Sequence, residues 1–303
     1  MKLKTTLEQW LTLIEVEQAG SIQGAAQALN KSHTTLIYAL RKLEQQLGME
    51  LIRVEQRRSV LTDQARSLLR RAVPMVEQAR TLEAVSRQMA QGVESEITLT
   101  VDHLCSRQWL MEPLSRFFEA FRGTSVQIRE TSLSATERAV TQRQADVAII
   151  TLPIENHLSD PFAVVTMVPV VAHSHPLAQQ SSVTVEELIS HTQIVVRDLG
   201  QGDPSEHQDV GWLRSQLRVT VDNFDHAWDA VRAGIGFCRM PAHRLPQGKP
   251  SEVVPLTLEG GGSYQVPLNL CLPKGEQTGV AARALYAMLL EQAQQPSFEG
   301  KYF

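Results

Sequence analysis

A chain of 303 residues, 43 % of them hydrophobic, has material for two or three domains and a sizeable core, which excludes a single small domain. Its three cysteines, Cys105, Cys238 and Cys271, are widely spaced and odd in number, with no CxxC pair. This points to a reducing cytoplasm and away from a disulfide frame or zinc site. The formal net charge of −4 is unevenly spread: residues 1–91 carry 13 Lys or Arg against 9 Asp or Glu, which leaves an excess of about 8 acidic groups in the remainder. The basic end suits a nucleic acid, and the acidic remainder suits solution, partner proteins or a small ligand.

The first patterned elements form a pair. Ile22, Ala25, Ala26 and Leu29 fall at i, i+3, i+4 and i+7 of a short helix, and Leu36, Leu40, Leu43 and Leu47 do the same for a second. Asn30 and Lys31 make the turn between them, Ser32 can cap the second helix, and Gly48 is its natural stop. With the leucines turned inward, Thr34, Tyr38 and Arg41 lie on the opposite face, flanked by Thr35 and Ile37. The stretch "LIRVEQRRSVLTDQARSLLRR" then gathers Arg53, Arg57, Arg58, Arg66, Arg70 and Arg71 around Val60 and Leu61, which can anchor a basic wing. Two helices, a tight turn, an uncommitted polar face and a basic wing predict a winged helix-turn-helix that binds duplex phosphates.

From Leu7 to Arg66 the chain resembles the DNA-binding domain of LysR-type transcriptional regulators. The resemblance is carried without a gap by "GSIQGAAQALNKSHTTL", "LRKLEQQLGMELI" and "LTDQAR". It implies operator contact by Ser21, Gln23, Ser32, His33, Thr34, Thr35, Tyr38 and Arg41, with Arg53, Arg57 and Arg58 near the backbone. His33, Thr34, Thr35 and the Ile37-Tyr38 pair depart from the family's usual residues, so the operator sequence cannot be borrowed from a relative.

Residues 63–91 are helical by pattern, with Leu69, Val73, Val76, Ala79, Leu82, Val85 and Met89 recurring every three or four residues. This stripe is long for its domain, and a second copy of itself is the economical partner. Val76, Leu82 and Met89 are the expected dimer contacts, although packing on the helix's own domain is the alternative. Pro74 predicts a kink or break near Arg70. In the family this segment is the linker helix of the dimer.

After "QGVESE" the period changes. Strands are expected at 97–101, 126–130, 146–150, 193–196, 217–221 and 268–272, with helices near 107–122, 134–144, 184–190, 225–233 and 278–293. Such alternation predicts mostly parallel sheets, with a ligand beyond the carboxyl ends of the strands. The most apolar run, "AVVTMVPVVA", is too short to span a bilayer and contains a proline, so no membrane partner is expected.

"DVAII", "HPLA" and "AGIGFCRMP" resemble the two-lobed effector domain of the same family, which is similar to periplasmic binding proteins. The fold class expected is therefore α/β behind an N-terminal all-α winged helix-turn-helix. The domains would be 1–62, a linker helix 63–92 and an effector domain 93–303. Lobe I would take about 94–165 with 268–293, and lobe II about 166–267. The resemblance puts the cleft walls at "VDHLCS", "TLPI", "RDLGQG", "NFD" and "CRMP", with Asp102, His103, Ser106, Thr151, Arg197, Phe224 and Arg239 as candidate contacts. Three arrangements stay open. A polar inducer with a donor or positive group sits on Asp102 with Ser106 and Thr151 nearby, an anion sits on Arg197, or Asp102 only pairs with an arginine across the cleft.

Catalytic signals are weak. Cys105 and Ser106 beside His103 lack a nucleophile elbow and an orienting third group. His173 and His175 lack further metal ligands, and "GIG" at 234–236 is a tight turn entering a strand, not a dinucleotide fingerprint. No cofactor and no metal are expected. The resulting expectation is a cytoplasmic, homodimeric or homotetrameric regulator that binds double-stranded DNA and a small-molecule effector, and which contacts RNA polymerase. The alternatives are a solute-binding or metabolic α/β enzyme with a basic N-terminal arm, and an interaction protein whose wing serves only assembly.

Overall fold

The protein was analysed as a computed structural model that describes residues 3–55, 58–200, 211–246, 251–298 and 300. Contacts divide it into two units, Met1–Gln88 and Met89–Phe303. The division falls within the segment 63–92 expected as a linker.

In the first unit, α1 (Leu7–Ala19), α2 (Ile22–Ala28) and α3 (His33–Leu47) each begin at a side-chain cap. Thr6 and Gln9 form a reciprocal capping box, and the Ser21 and Ser32 hydroxyls accept the Gly24 and Thr35 N–H groups at 3.0 and 3.1 Å. Gly20 and Gly48 end α1 and α3 in the left-handed conformation, at φ 67° and 70°. Leu36, Leu40 and Leu43 turn inward onto Leu13, Val16 and Ala25, as the spacing predicts. An antiparallel pair, β1 (Ile52–Glu55) and β2 (Arg58–Leu61), forms the wing. The Glu44 carboxylate fastens it to α3 by accepting the Leu51 and Ile52 N–H groups at 2.8 and 3.1 Å.

The helix α4 (Asp63–Ala90) follows, capped by the Thr62 hydroxyl on the Ala65 N–H at 3.1 Å. It runs without a break through Pro74, so of the kink or break expected near Arg70 the break does not occur. A proline removes one donor and crowds one carbonyl, and the surrounding turns hold.

The second unit is built on a nine-stranded sheet. On one side β3 (Glu96–Asp102) lies parallel between β4 (Ser125–Thr131) and β5 (Val147–Ile150). On the other, β7 (Gln193–Val196) lies parallel between β8 (Arg218–Val221) and β9 (Phe237–Pro241). Two long strands join these halves. The first is β6 (Ser159–Ala172), and the second is β11 (Tyr264–Cys271), which pairs antiparallel with both β5 and β6. Near its end β6 also pairs antiparallel with β9 and with β10 (Val253–Pro255). The expectation of mostly parallel sheets is thus corrected: each half is parallel, but the junction is antiparallel. The helices α5 (Gln108–Ala120), α6 (Leu133–Thr141), α7 (Val185–Ile189), α8 (Phe224–Arg232) and α9 (Val280–Gln294) lie close to the bounds expected.

The most apolar run of the sequence, residues 163–172, forms the second part of β6. Its Val165, Val170 and Val171 are buried in a core with Phe117, Phe162 and Leu285 or beside Phe237. Among the described residues no helix is long and apolar enough to cross a membrane.

Candidate functional site

The carboxyl ends of the parallel strands in both halves open onto one cavity of about 130 Å³. Asp102 ends β3 and His103 and Leu104 follow it, Leu133 begins α6, Thr151 and Leu152 follow β5, and Phe224 begins α8. Arg239 comes from β9 and Tyr264 from β11. A ligand site at this position follows from the topology, because loops leaving parallel strands diverge there.

Asp102 is 1 % exposed and makes no ion pair among the described residues. Its carboxyl accepts the Leu104 N–H at 3.0 Å, the Leu133 N–H, and the Thr151 hydroxyl at 3.5 Å. Burial outweighs these donors and pushes its pKa up to about 7. His103 stacks edge-on to Phe224 at 5.0 Å between ring centres. Burial, assisted by Arg244, lowers it to about 4, so the ring is neutral near pH 7. The Arg239 guanidinium lies 5.1 Å from the Tyr264 ring centre.

In the first unit His33, Thr34, Thr35, Tyr38 and Arg41 are exposed on α3, opposite its buried leucines. Tyr38 is 67 % exposed, and the Lys42 ammonium lies 6.0 Å from its ring centre. Ser21 and Ser32 spend their hydroxyls on caps, while Gln23 is exposed. Arg53 pairs with Glu55 on its own strand at 2.8 Å. Arg57 and the side chain of Arg58 lie outside the described residues.

Residues 7–66 match the family model described as bacterial regulatory helix-turn-helix protein, lysR family, and residues 90–294 match the LysR substrate binding domain. This chain belongs to the LysR family of transcriptional regulators. It is similar to YhaJ of Escherichia coli (strain K12), a probable HTH-type transcriptional regulator, with 26 % identity over 78 % of this chain and 80 % of the relative. It is also similar to YvbU of Bacillus subtilis (strain 168), with 23 % identity over 94 % of this chain and 98 % of that one. Full-length LysG from Corynebacterium glutamicum shares the fold at a TM-score of 0.50 and 18 % identity, covering 95 % of this chain and 98 % of its own. As a LysR-type regulator, the protein binds DNA through its helix-turn-helix and senses a small-molecule effector through its substrate-binding domain.

Within this LysR effector domain, Asp102, His103, Thr151, Phe224 and Arg239 all border the cavity; Ser106 and Arg197 do not. Ser106 opens onto a separate pocket with Arg107, Asp225 and Arg244. There Asp225 accepts from Arg244 at 2.6 Å and from Arg107 at 3.1 Å, and is held below the usual carboxylate range chiefly by Arg244. Arg197 turns outward to Asp222 at 2.5 Å, so the arrangement with an anion on Arg197 is set aside. Pairing of Asp102 with an arginine across the cleft also fails, since its partners are N–H groups and a hydroxyl.

In the wall segment "RDLGQG" the sequence reading singles out Arg197, whereas Asp198 is the residue that is buried. Neighbours along an extended chain point to opposite sides, so an outward Arg197 sends Asp198 inward. Leu133, Gln193 and Tyr264, which also border the cavity, lie outside the wall segments that the sequence reading names. Leu133 sits at φ 41°, a left-handed conformation that strains a branched side chain beside the cavity.

The other sequence-level candidates resolve as structure. His175 caps a short 3-10 turn by accepting the Leu177 N–H at 3.2 Å. Among the described residues no group of three or more His, Cys, Asp or Glu could hold a metal. Cys105 is buried, and burial pushes its thiol well above the ordinary range. On α4, Leu82 and Met89 are 67 % and 53 % exposed, whereas Val76 is buried in the core of its own unit. Val76 is therefore withdrawn as a dimer contact.

Proposed function

We propose that this LysR-type regulator holds its effector in the cavity between the two halves of the sheet, with Asp102, His103, Thr151, Phe224 and Arg239 as contacts. What supports the reading is that residues from separate loops, singled out by motif position, line one cavity at the carboxyl ends of the strands. Effector binding shifts the balance between two assembly states, and the coupling equals the difference in affinity for them. No catalytic step is part of the function, which is exercised in the cytoplasm and passed to RNA polymerase. The test is isothermal calorimetry of the full chain with any metabolite that raises its unfolding temperature: loss of binding in Phe224→Ala and Arg239→Ala supports the siting, and unchanged affinity in both sinks it.

The exposed face of α3 reads bases, and the wing arginines Arg53, Arg57 and Arg58 hold phosphates. On DNA flanking its gene, a double Arg57→Ala, Arg58→Ala variant is expected to weaken all sequences alike. It should also flatten the slope of log affinity against log salt by about 0.9 for each phosphate that is no longer neutralised. Tyr38→Ala should instead reorder preferences among operator variants. A uniform loss with the ranking unchanged would remove Tyr38 from the base-reading set.

The exposed part of the α4 stripe pairs two copies, which puts two reading heads on one two-fold operator. Leu82→Glu is expected to sediment as a monomer with its reading head folded, because Leu82 is 67 % exposed. Val76→Glu places a charge in the core and should unfold the head instead. A Leu82→Glu protein that sediments like the parent shows that the stripe pairs nothing.

A further inference from the structure

The chemistry of the cavity is lopsided. Leu104, Leu152, Met167, Val196, Phe224 and Tyr264 make most of its wall apolar. The backbone donors around Asp102 and Asp198 are committed to those carboxyl groups. Leu104 and Leu133 donate their N–H groups to Asp102. Ser134 donates to the Asp198 Oδ2 at 3.3 Å and Gly200 to its Oδ1 at 3.0 Å.

The first turn of α6 is a natural seat for an anion, because its N–H groups have no partner within the helix. Here two carboxyl groups of the chain fill it, one from each half of the sheet. Asp102 is 1 % and Asp198 2 % exposed, so neither is displaced by solvent. The loop carrying Asp198 is tied down further, since the Leu199 N–H donates to the Ser132 hydroxyl at 2.9 Å. Gly200 is pressed so close that a Cβ there would lie 1.9 Å from the Ser134 hydroxyl oxygen.

Two polar atoms bordering the cavity are left wanting. The Nδ1 of His103, a residue 9 % exposed, and the Nε of Arg239 are buried without a hydrogen-bond partner among the described residues. A buried polar atom without a partner costs about 1–3 kcal/mol, so a ligand that satisfies it gains that much. An anion would meet Arg239 but find the first-turn N–H groups of α6 already taken by Asp102 and Asp198, and a cation would sit beside Arg239 in an apolar pocket. An apolar cavity of about 150 Å³ holds a benzene ring, and the space here is about 130 Å³.

We infer that this cleft selects a compact, uncharged, largely apolar ligand, roughly one ring in size, with an acceptor for Arg239 and a hydrogen-bonding group for His103, and that it rejects carboxylates. The inference rests on the siting proposed above. It departs from the three arrangements that the sequence left open, each of which invoked a charged or strongly polar partner.

The test uses the full chain and four single-ring probes at equal millimolar concentration: benzamide, acetophenone, benzoate and benzylamine. Benzamide and acetophenone are expected to raise the unfolding temperature of the effector unit by about 2–4 °C once their concentration is several times Kd. Benzoate and benzylamine should leave it in place. Leu152→Trp, at a half-exposed wall position, fills the cavity without disturbing the core and should abolish the shifts.

Stabilisation of the parent by benzoate, lost in Leu152→Trp, overturns the ligand class and leaves the siting intact. Stabilisation by benzamide that persists in Leu152→Trp overturns the siting, and the inference with it. No shift with any of the four overturns the class.

Discussion

Replacing Gly236 by alanine is expected to destabilise the effector unit by about 3 kcal/mol, the upper end of what overpacking costs. A Cβ at this position would lie 2.0 Å from the Thr192 carbonyl oxygen and 2.8 Å from its carbon. These are backbone atoms, held by the Phe237 N–H that donates to the same oxygen at 3.0 Å and by the pairing of Gln193 with Phe237. The clash can be relieved only by moving β9 away from β7, which drags Cys238 and Arg239 out of the cavity wall. Gly234, two residues earlier, has φ 77° and open space around its Cα, so Gly234→Ala should cost only about 1 kcal/mol in backbone strain. Urea unfolding measures both. A Gly236→Ala protein within about 0.5 kcal/mol of the parent would mean that β7 and β9 do not meet as described.

The second large effect is in pH. Asp102 is raised to about 7 chiefly by burial, with the charge of Glu130 adding to it and the Leu104, Leu133 and Thr151 donors opposing. A carboxyl raised on folding stabilises fully below its unfolded pKa, near 3.8, and loses that contribution as pH rises through about 7. At about 1.4 kcal/mol for each pH unit, the loss approaches about 4 kcal/mol. His103 acts oppositely: lowered from 6.5 to about 4, it contributes stability above pH 6.5 that is lost as pH falls.

The two groups mask each other in the parent, so the comparison must be with Asp102→Asn. The stability of the parent relative to that variant should fall steadily from pH 4 to pH 7. Parallel curves across that range would show that the carboxyl is ionised throughout and that its burial costs little.

Much of the DNA-reading unit is legible in the residues alone. Its helices are short, locally capped and amphipathic, and Thr6, Ser21, Ser32, Gly20 and Gly48 act within a few residues of where they stand. The outward set His33, Thr34, Tyr38 and Arg41 follows from the spacing of Leu36, Leu40 and Leu43 by helix geometry. The family signature runs through the same stretch, and so the sequence also carries the identity of the fold. In the effector domain the strand and helix periods place most elements, and the loops that border the cavity can be located from them.

Partnership was decided by tertiary structure. Val76 and Leu82 share one apolar stripe, yet one is buried against its own head and the other is exposed, because only the start of α4 has a core to cover it. Strand β6 reads as an undivided apolar run, and its role as the antiparallel junction of two parallel halves appears only when β11 and β9 pair with it. Arg197 and Asp198 are adjacent and both charged, but the fold sends the arginine to Asp222 and the aspartate to the first turn of α6. Periodicity fixes which side of its own element a residue occupies; what waits on that side comes from distant parts of the chain, and a local pattern holds no record of it.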